Sequence, residues 1–511
     1  MLAVTLWMAA LLGQVGPYEA AEPVTANGTI DALVLSKLAT EGVEPAPLCS
    51  DAVFVRRVFF DVIGTLPEPQ EVTSFLEDTR PNKRALLIES LLQRPEFADY
   101  WAMKWSDALR IKSEFPINLW PNAAQSYHRW VRDAIRDNMP YDRFARTLLT
   151  SSGSNFREPP VNFYRAVQGR DPMALAGAVA LTFMGTRLDK WPKDKREAMA
   201  AFFSRIAYKQ TDEWKEEIVC LDPAPAEALK ATLPDGTAVT VEPDRDPREV
   251  FADWLVTPEN PWFARSVANR VWAWLMGRGV VQEPDDIRED NPPSDPALLD
   301  CLTKAVVDSK FDLRQLYRLI LNSRTYQQSS IPRGDNPKAE ALFAYYPVRR
   351  MEAEVLIDAL DRIADKGEEY SSAVPEPYTY IPSYMRTIAL EDGSVTSAFL
   401  QMFGRPTRDS GMESERINQP SDAQRLHLLN STEVQKKIAN SGRVRGLVKQ
   451  MRGDAPQIVR WLYLGILSRY PTEAEQQAAV GYFKSAGLPP QKATEDVAWA
   501  LVNSKEFLYR H

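Results

Sequence analysis

Histidine and cysteine are the scarcest chemistry-bearing residues of this 511-residue chain, with three of each. Cys49, Cys220 and Cys301 lie far apart, so they form neither a zinc spacing nor a disulfide framework; at most one pair joins and one thiol stays free. His128, His427 and His511 include no His-x-x-x-His pair, and each reads as a packed structural histidine rather than a metal ligand. A Gly-x-Ser-x-Gly elbow, a Gly-x-Gly-x-x-Gly turn and a Walker loop are also missing, which removes the signatures of serine hydrolases and nucleotide sites. Basic charge is short: 61 Lys+Arg against 69 Asp+Glu give a net charge of −8. Such a chain has no bulk attraction for a phosphate backbone, so nucleic acid is excluded as the expected partner.

What is present is an ordinary globular composition, 44% hydrophobic and 25% charged, with 13 Trp and 38 Pro. That excludes wholesale disorder and a multi-span membrane protein. Residues 2–12, LAVTLWMAALL, match the length of a signal-peptide core and fall short of the ~20 residues that span a bilayer. No Lys or Arg precedes the run and no small-x-small cleavage site follows it, so a buried N-terminal helix is the alternative. No later segment continues an amphipathic pattern from it, which favours export. The expectation is a signal peptide over residues 1–23, cleaved near 21–23, and a periplasmic or secreted chain with no transmembrane segment.

Most of the remainder carries apolar residues at helical spacing. Helices are expected over 31–40, 52–63, 82–92, 96–111, 127–138, 141–150, 171–184 and 194–206, with Gly64 as a C-cap and Pro95 in a first turn. Residues 208–241 lose the helical period, and ALKATLPDGTAVTVEP reads as a hairpin turning at Asp235-Gly236, a type I′ pair. The helical pattern resumes over 247–256 and 261–276, after Ser294-Asp295-Pro296, over 313–322 and strongly over 349–366. Residues 370–391, rich in Pro and Tyr, read as an ordered irregular loop, and Thr432-x-x-Gln435 and Thr472-x-x-Glu475 as capping boxes. The expected fold is mainly α, in two helical halves: an N-terminal domain over 24–206, a small β-hairpin insert over 207–246 and a C-terminal domain over 247–511.

The chain also echoes itself. VRRVFFDVI (55–63) aligns without gaps on VRWLYLGIL (459–467), and the same frame matches Pro67 to Pro471 and Glu71 to Glu475. LLQRPEF (91–97) resembles ALVNSKEF (500–507), and LILNSRTY (319–326) is a looser third copy. A duplicated helical hairpin predicts that Phe59 and Phe97 share the environments of Tyr463 and Phe507, and repeats of this kind commonly serve as scaffolds.

VRRVFFDVIGTLPEPQEVTSFL (55–76), RPEFADYWAMKWSDALR (94–110), YHRWVRDAIRDNMPYDRFARTLLT (127–150) and the specific block ANRVWAWLMGRGVV (268–281) carry a resemblance. With PPSDPALLDCL, LYRLILNSRTYQQSS and RRMEAEVLIDAL, they resemble the planctomycete-specific cytochrome-type domain followed by the planctomycete-specific C-terminal domain. The resemblance runs from about residue 30 to the end. It implies a large exported helical protein, of a pair found in Planctomycetes and Verrucomicrobia, with no established biochemical role. The cytochrome label implies a Cys-x-x-Cys-His haem attachment shortly after a stretch similar to LTFMGTRL (181–188). Here that stretch runs into DKWPKDKREAMAAFF, without Cys or His, so no c-type haem and no other cofactor is expected.

The remaining candidates are carboxylates and arginines. Glu283, Asp285, Asp286, Glu289 and Asp290 crowd one stretch, but without EF-hand spacing they read as a solvated acidic loop, and no metal site is expected. Glycoside cleavage requires two carboxyl groups ~5–9.5 Å apart, for which Asp285, Asp286, Glu352 and Glu415 are the catalytic candidates, with Glu354 and Glu413 beside them. Arg349 and Arg350 next to Glu352 and Glu354 read more simply as ion pairs on a helix surface. The candidate ligand-binding set is Arg265, Asn269, Arg270 and Trp272 on one helix, with Arg405, Arg408 and Arg416 in FGRPTRDSGMESER. Arginine forks suit carboxylate or sulfate groups and Trp stacks on sugar rings, whereas a buried arginine network is the competing reading. The chain is therefore expected to be an exported, non-haem binding or scaffold protein of an envelope assembly, with a protein or acidic polysaccharide as partner. The alternative is a polysaccharide-acting hydrolase or lyase.

Overall fold

The computed structural model describes residues 17–20, 24–113, 119–223, 227–374, 379–485 and 487–511. The apolar run at 2–12 and the expected cleavage region at 21–23 lie outside the described residues. The fold is mainly α. Among the described residues the strands are β1 (Gly153–Ser154), β2 (Ile206–Gln210), β3 (Glu217–Leu221), β4 (Leu229–Thr232), β5 (Ala238–Val241), β6 (Arg349–Arg350) and β7 (Tyr509–Arg510). They pair antiparallel in the orders β1-β3-β2, β4-β5 and β6-β7. The chain folds into two compact units, neither of them a single run of sequence: the first is Met1–Gln93, Arg318–Gly367 and Asn418–His511, the second Arg94–Tyr317 and Glu368–Ile417.

In the first unit the echo takes shape as local structure. Helix Asp51–Ile63 opens on Ser50, whose Oγ accepts the Val53 N–H at 3.3 Å, and closes on Gly64 at φ 57°. Helix Ala455–Leu467 opens on Asp454 and closes on Ser468 at φ 58°, a left-handed position that disfavours a side chain by roughly 1–2 kcal/mol. Long-range bonding holds it there: Arg56 Nη1 donates to the Ser468 Oγ at 3.3 Å and to the Ile466 carbonyl at 2.8 Å. Each copy then turns through Pro into a capped helix, with Glu71 accepting from the Glu68 N–H and Glu475 from the Thr472 N–H, both at 2.8 Å. At the end of the second copy, Ser504 Oγ accepts from the Phe507 N–H at 3.2 Å, and Ser323 does the same for Tyr326 at 3.1 Å in the third. Phe59, Tyr463, Tyr326 and Phe507 are all buried, as is Phe97 in the second unit.

The same unit contains a buried charge cluster that the sequence reading misassigned. The expected helix over 349–366 is Ala353–Ala364, and Arg349–Arg350 belongs to β6, paired with β7. These residues therefore do not make ion pairs on a helix surface. Arg349 Nη2 and Arg510 Nη1 both donate to Asp61 Oδ1, at 2.9 and 2.8 Å, while the Tyr326 and Tyr346 hydroxyls donate to Oδ2 at 2.9 and 2.8 Å. Glu352 pairs with Arg510, so this catalytic candidate is a buried structural partner. Arg57 lies 3.8 Å above the Tyr346 ring and donates to the Tyr326 and Gln328 carbonyls. Burial alone would raise the Asp61 pKa; the two arginines and two phenols outweigh it and hold the carboxyl below its usual value.

In the second unit an aromatic core joins helix Pro95–Ala108 to helix Phe263–Met276, with Trp105 edge-on to Trp274 at 5.3 Å and Tyr141 stacked on Phe263 at 4.8 Å. The expected helix over 171–184 is α-helical only over Pro172–Val179 and widens to a π turn, Ala180–Met184, ended by Gly185 at φ 60°. The helix expected over 194–206 stops at Ala201, because Phe202 and Phe203 turn inward onto Phe251 and the chain leaves as β2. The β4-β5 hairpin forms where expected, but its turn is not type I′. The Gly236 N–H bonds the Leu233 carbonyl at 2.9 Å with Pro234 and Asp235 between, and only Gly236 has positive φ, at 94°. Pro234 fixes a negative φ, which forbids the left-handed pair that type I′ requires.

Candidate functional site

Asn260 sets the geometry of one concavity of the second unit. Its Oδ1 accepts the N–H groups of Trp262 at 3.0 Å and Phe263 at 3.1 Å, and its Nδ2 donates to the Trp254 carbonyl at 3.3 Å. This side chain thereby fixes the turn between helices Pro247–Leu255 and Phe263–Met276 and places Trp262 between Trp254 and Trp191, at 5.8 and 5.9 Å between ring centroids. Trp191 is held by its Nε1–H, which donates to Thr186 Oγ1 at 3.2 Å.

Trp191 and Trp262 line a pocket of about 610 Å³ whose walls include Lys190, Lys195, Arg265 and Arg288. Pro234, Pro261, Pro292 and Pro293 stiffen it, and Glu289 is its one acidic lining residue. The cations are poorly neutralised. Arg265 has only Asp300 at 3.8 Å, Lys190 only the exposed Asp189 at 3.8 Å, and Lys195 has no acidic partner among the described residues. Arg288 is paired with Asp286 at 3.2 Å and Asp290 at 3.0 Å. The volume falls within the ~300–1,000 Å³ of small-molecule sites.

Behind the pocket, the loop after helix Phe263–Met276 is pinned by internal bonds. Asn269 Nδ2 donates to the Val281 carbonyl and Asn269 Oδ1 accepts the Val281 N–H, both at 2.9 Å. Gly279 permits this approach, since a Cβ there would stand 2.2 Å from the Val281 oxygen. Ile287 N–H bonds the Gly185 carbonyl at 2.8 Å, tying the loop to the stretch at 181–188. Asp285 is fully buried rather than part of a solvated acidic loop: Arg187 donates to it at 3.0 Å and the Glu413 N–H at 2.8 Å. Glu413 Oε1 accepts from Trp274 Nε1 at 2.6 Å, and its Oε2 lies 3.6 Å from Arg270. A quarter of the Glu413 side chain still reaches solvent. Burial raises its pKa, with Asp285 adding repulsion, against the pull of Arg270 and Lys104.

Of the predicted ligand-binding side chains, Arg265 alone lines this pocket. Asn269 is consumed by Val281, Trp272 is buried in the core, and Arg270 Nη2 donates to the Leu181 carbonyl at 3.0 Å. Arg408 and Arg416 share Asp107, at 2.9 and 2.6 Å, and Arg405 donates to the Val395 carbonyl. Glu415 Oε1 accepts the Asp409 and Ser410 N–H groups at 3.1 and 2.9 Å. The arginine-rich segment therefore folds on internal partners. Residues 265–290 and 405–416 do meet, through Asp285, Arg270, Trp274 and Glu413, whereas Glu352 belongs to the first unit. Sequence reasoning missed Lys190, Trp191, Lys195 and Trp262; the signal available was Trp beside Pro in KWPK and NPW.

Two family models match the chain: PSCyt2, a protein of unknown function (DUF1549), over residues 29–174, and PSD1, a protein of unknown function (DUF1553), over 247–483. The chain belongs to the paired PSCyt2–PSD1 family. No curated protein and no solved structure matches it. The cytochrome-type label of the PSCyt2 domain implies a covalent haem, and the residues here do not fit one. The stretch after 181–188 supplies Lys190, Trp191 and Lys195 instead of thiols and imidazole, and the second unit's cysteines sit on β3 (Cys220) and helix Pro296–Asp308 (Cys301). Its one histidine, His128, is buried, and burial, with Arg408, Arg132 and Arg129, pushes its pKa down to about 3. Among the described residues no helix is long and apolar enough to cross a membrane, and no group of three or more His, Cys, Asp or Glu gathers as a metal site.

Proposed function

We propose that this PSCyt2–PSD1 chain is an exported, non-haem binding protein of an envelope assembly, and that its second unit holds an acidic polysaccharide in the Trp191–Trp262 pocket. The observation that carries this reading is the presence in one pocket lining of two tryptophans with Lys190, Lys195 and Arg265, cations that lack close acidic partners. Indole faces pack on the C–H face of a sugar ring, and the cations attract its carboxylate or sulfate groups. Hydrolysis is less well supported. Glu289 stands without a second lining carboxylate, and Asp285 is engaged by Arg187 and the Glu413 N–H.

The test is calorimetric titration of the full chain with uronate or sulfated oligosaccharides and with neutral ones of equal length. Binding of the charged chains alone, weakening as salt rises and with no new reducing ends, supports the reading. Equal binding of neutral chains removes the role of the cations, and chain cleavage restores the enzymatic alternative.

A further inference from the structure

The first unit carries an apolar groove of about 380 Å³ that the polysaccharide reading does not use. Its floor is Leu66, Ile363, Val444, Leu447 and Leu462, all buried, with Trp461 at one side. Two glycines keep it open. A Cβ on Gly446 would meet nothing within 4 Å, and on Gly465 nothing nearer than Pro69 Cγ at 3.5 Å.

The rim is charged on one side. Glu68 is gripped by Arg362, at 3.2 and 2.8 Å, and by Arg443, at 2.6 and 2.9 Å. Among the charged lining residues, two cations thus face one carboxylate. Asp365 acts on Arg443 from outside the lining. Arg362 Nη1 and Arg443 Nε have no hydrogen-bond partner among the described residues, so each guanidinium retains N–H donors.

We propose that this groove binds a small amphiphile with a single apolar tail and an anionic head group. The tail lies on Leu66, Val444, Leu447 and Leu462, and the head group takes the spare donors of Arg362 and Arg443. Charge complementarity selects an acid over a cation, because a positive head group would meet both guanidinium groups.

Decanoate, decyltrimethylammonium and butanoate are titrated into the full chain, read by calorimetry and by tryptophan fluorescence. One decanoate per chain is expected, with the cation and the short acid each at least about tenfold weaker, a difference of about 1.4 kcal/mol. Gly446→Leu projects a side chain into the groove while replacing glycine in a helix by a better helix former, so the variant folds and loses decanoate binding. Arg362→Gln weakens decanoate and leaves its cationic analogue no worse. Absence of decanoate binding, binding that survives Gly446→Leu, or equal binding of the cation overturns the proposal. Oligosaccharide titrations of the same variants remain unchanged whichever result is obtained.

Discussion

Each unit buries a carboxylate among arginines, but the two clusters are finished differently. In the first unit Asp61 is fully enclosed and both its oxygens are doubly bonded. In the second unit Glu413 keeps a solvent-facing side; one of its oxygens accepts from Trp274 Nε1 and the other lies 3.6 Å from Arg270. The pKa directions follow: Asp61 is pushed down and Glu413 up. With both oxygens doubly bonded, the Asp61 carboxylate fastens β6 and β7 to helix Asp51–Ile63.

The comparison is broken most severely at Asp61. Asp61→Asn leaves Arg349 and Arg510 competing for a neutral group and should cost about 3–5 kcal/mol in denaturant unfolding of the first unit, the range for stripping one partner from a buried ion pair. Phe507→Ala and Phe97→Ala should each cost ~3–5 kcal/mol by emptying a buried aromatic site. A loss well below 1 kcal/mol at either phenylalanine would remove its role as the anchor of a repeated module.

A pH series sharpens the contrast at intermediate size. His128 titrates near 3 when folded and near 6.5 when unfolded, so the unfolded chain binds more protons below pH 6.5. Stability present above that pH is lost on acidification, by about 2 kcal/mol at pH 5, and His128→Phe should flatten this slope. The two carboxylates respond in opposite senses. Asp61, with its lowered folded pKa, gives up its contribution only as pH falls below the normal carboxylate range. Glu413, with its raised folded pKa, is relieved as pH falls through that value, since the native state then binds the proton more readily. Glu413→Gln should accordingly change stability at neutral pH by less than about 1 kcal/mol. A loss as large as that of Asp61→Asn would make the two clusters equivalent.

The helical periodicity, Gly64, Pro95 and the Thr472–Glu475 box were readable because each acts within one turn of chain. The echo was readable as local helix–Pro–helix form but not as shared environment: Phe97 packs on Trp101 and Tyr317 in the second unit, whereas Phe507 lies under Arg56 in the first. Arg349 and Arg350 were not, because β6 exists only through its pairing with residues 509 and 510. Arg408 and Arg416 looked like ligand groups from their density, yet Asp107, about three hundred residues earlier, pairs with both. Trp191 and Trp262 carry no motif; their ring contact depends on Asn260 and on Thr186.

The central claim is that the cations around Trp191 and Trp262 select an acidic saccharide. It is tested most directly by charge reversal, comparing Lys195→Glu with Lys304→Glu, an exposed lysine on helix Pro296–Asp308 that lies outside the pocket lining. Both variants change net charge equally. Lys195→Glu should weaken binding of a sulfated oligosaccharide by about tenfold or more, and Lys304→Glu by much less. Equal weakening by the two, or no effect of Lys195→Glu, would contradict the assignment of this pocket.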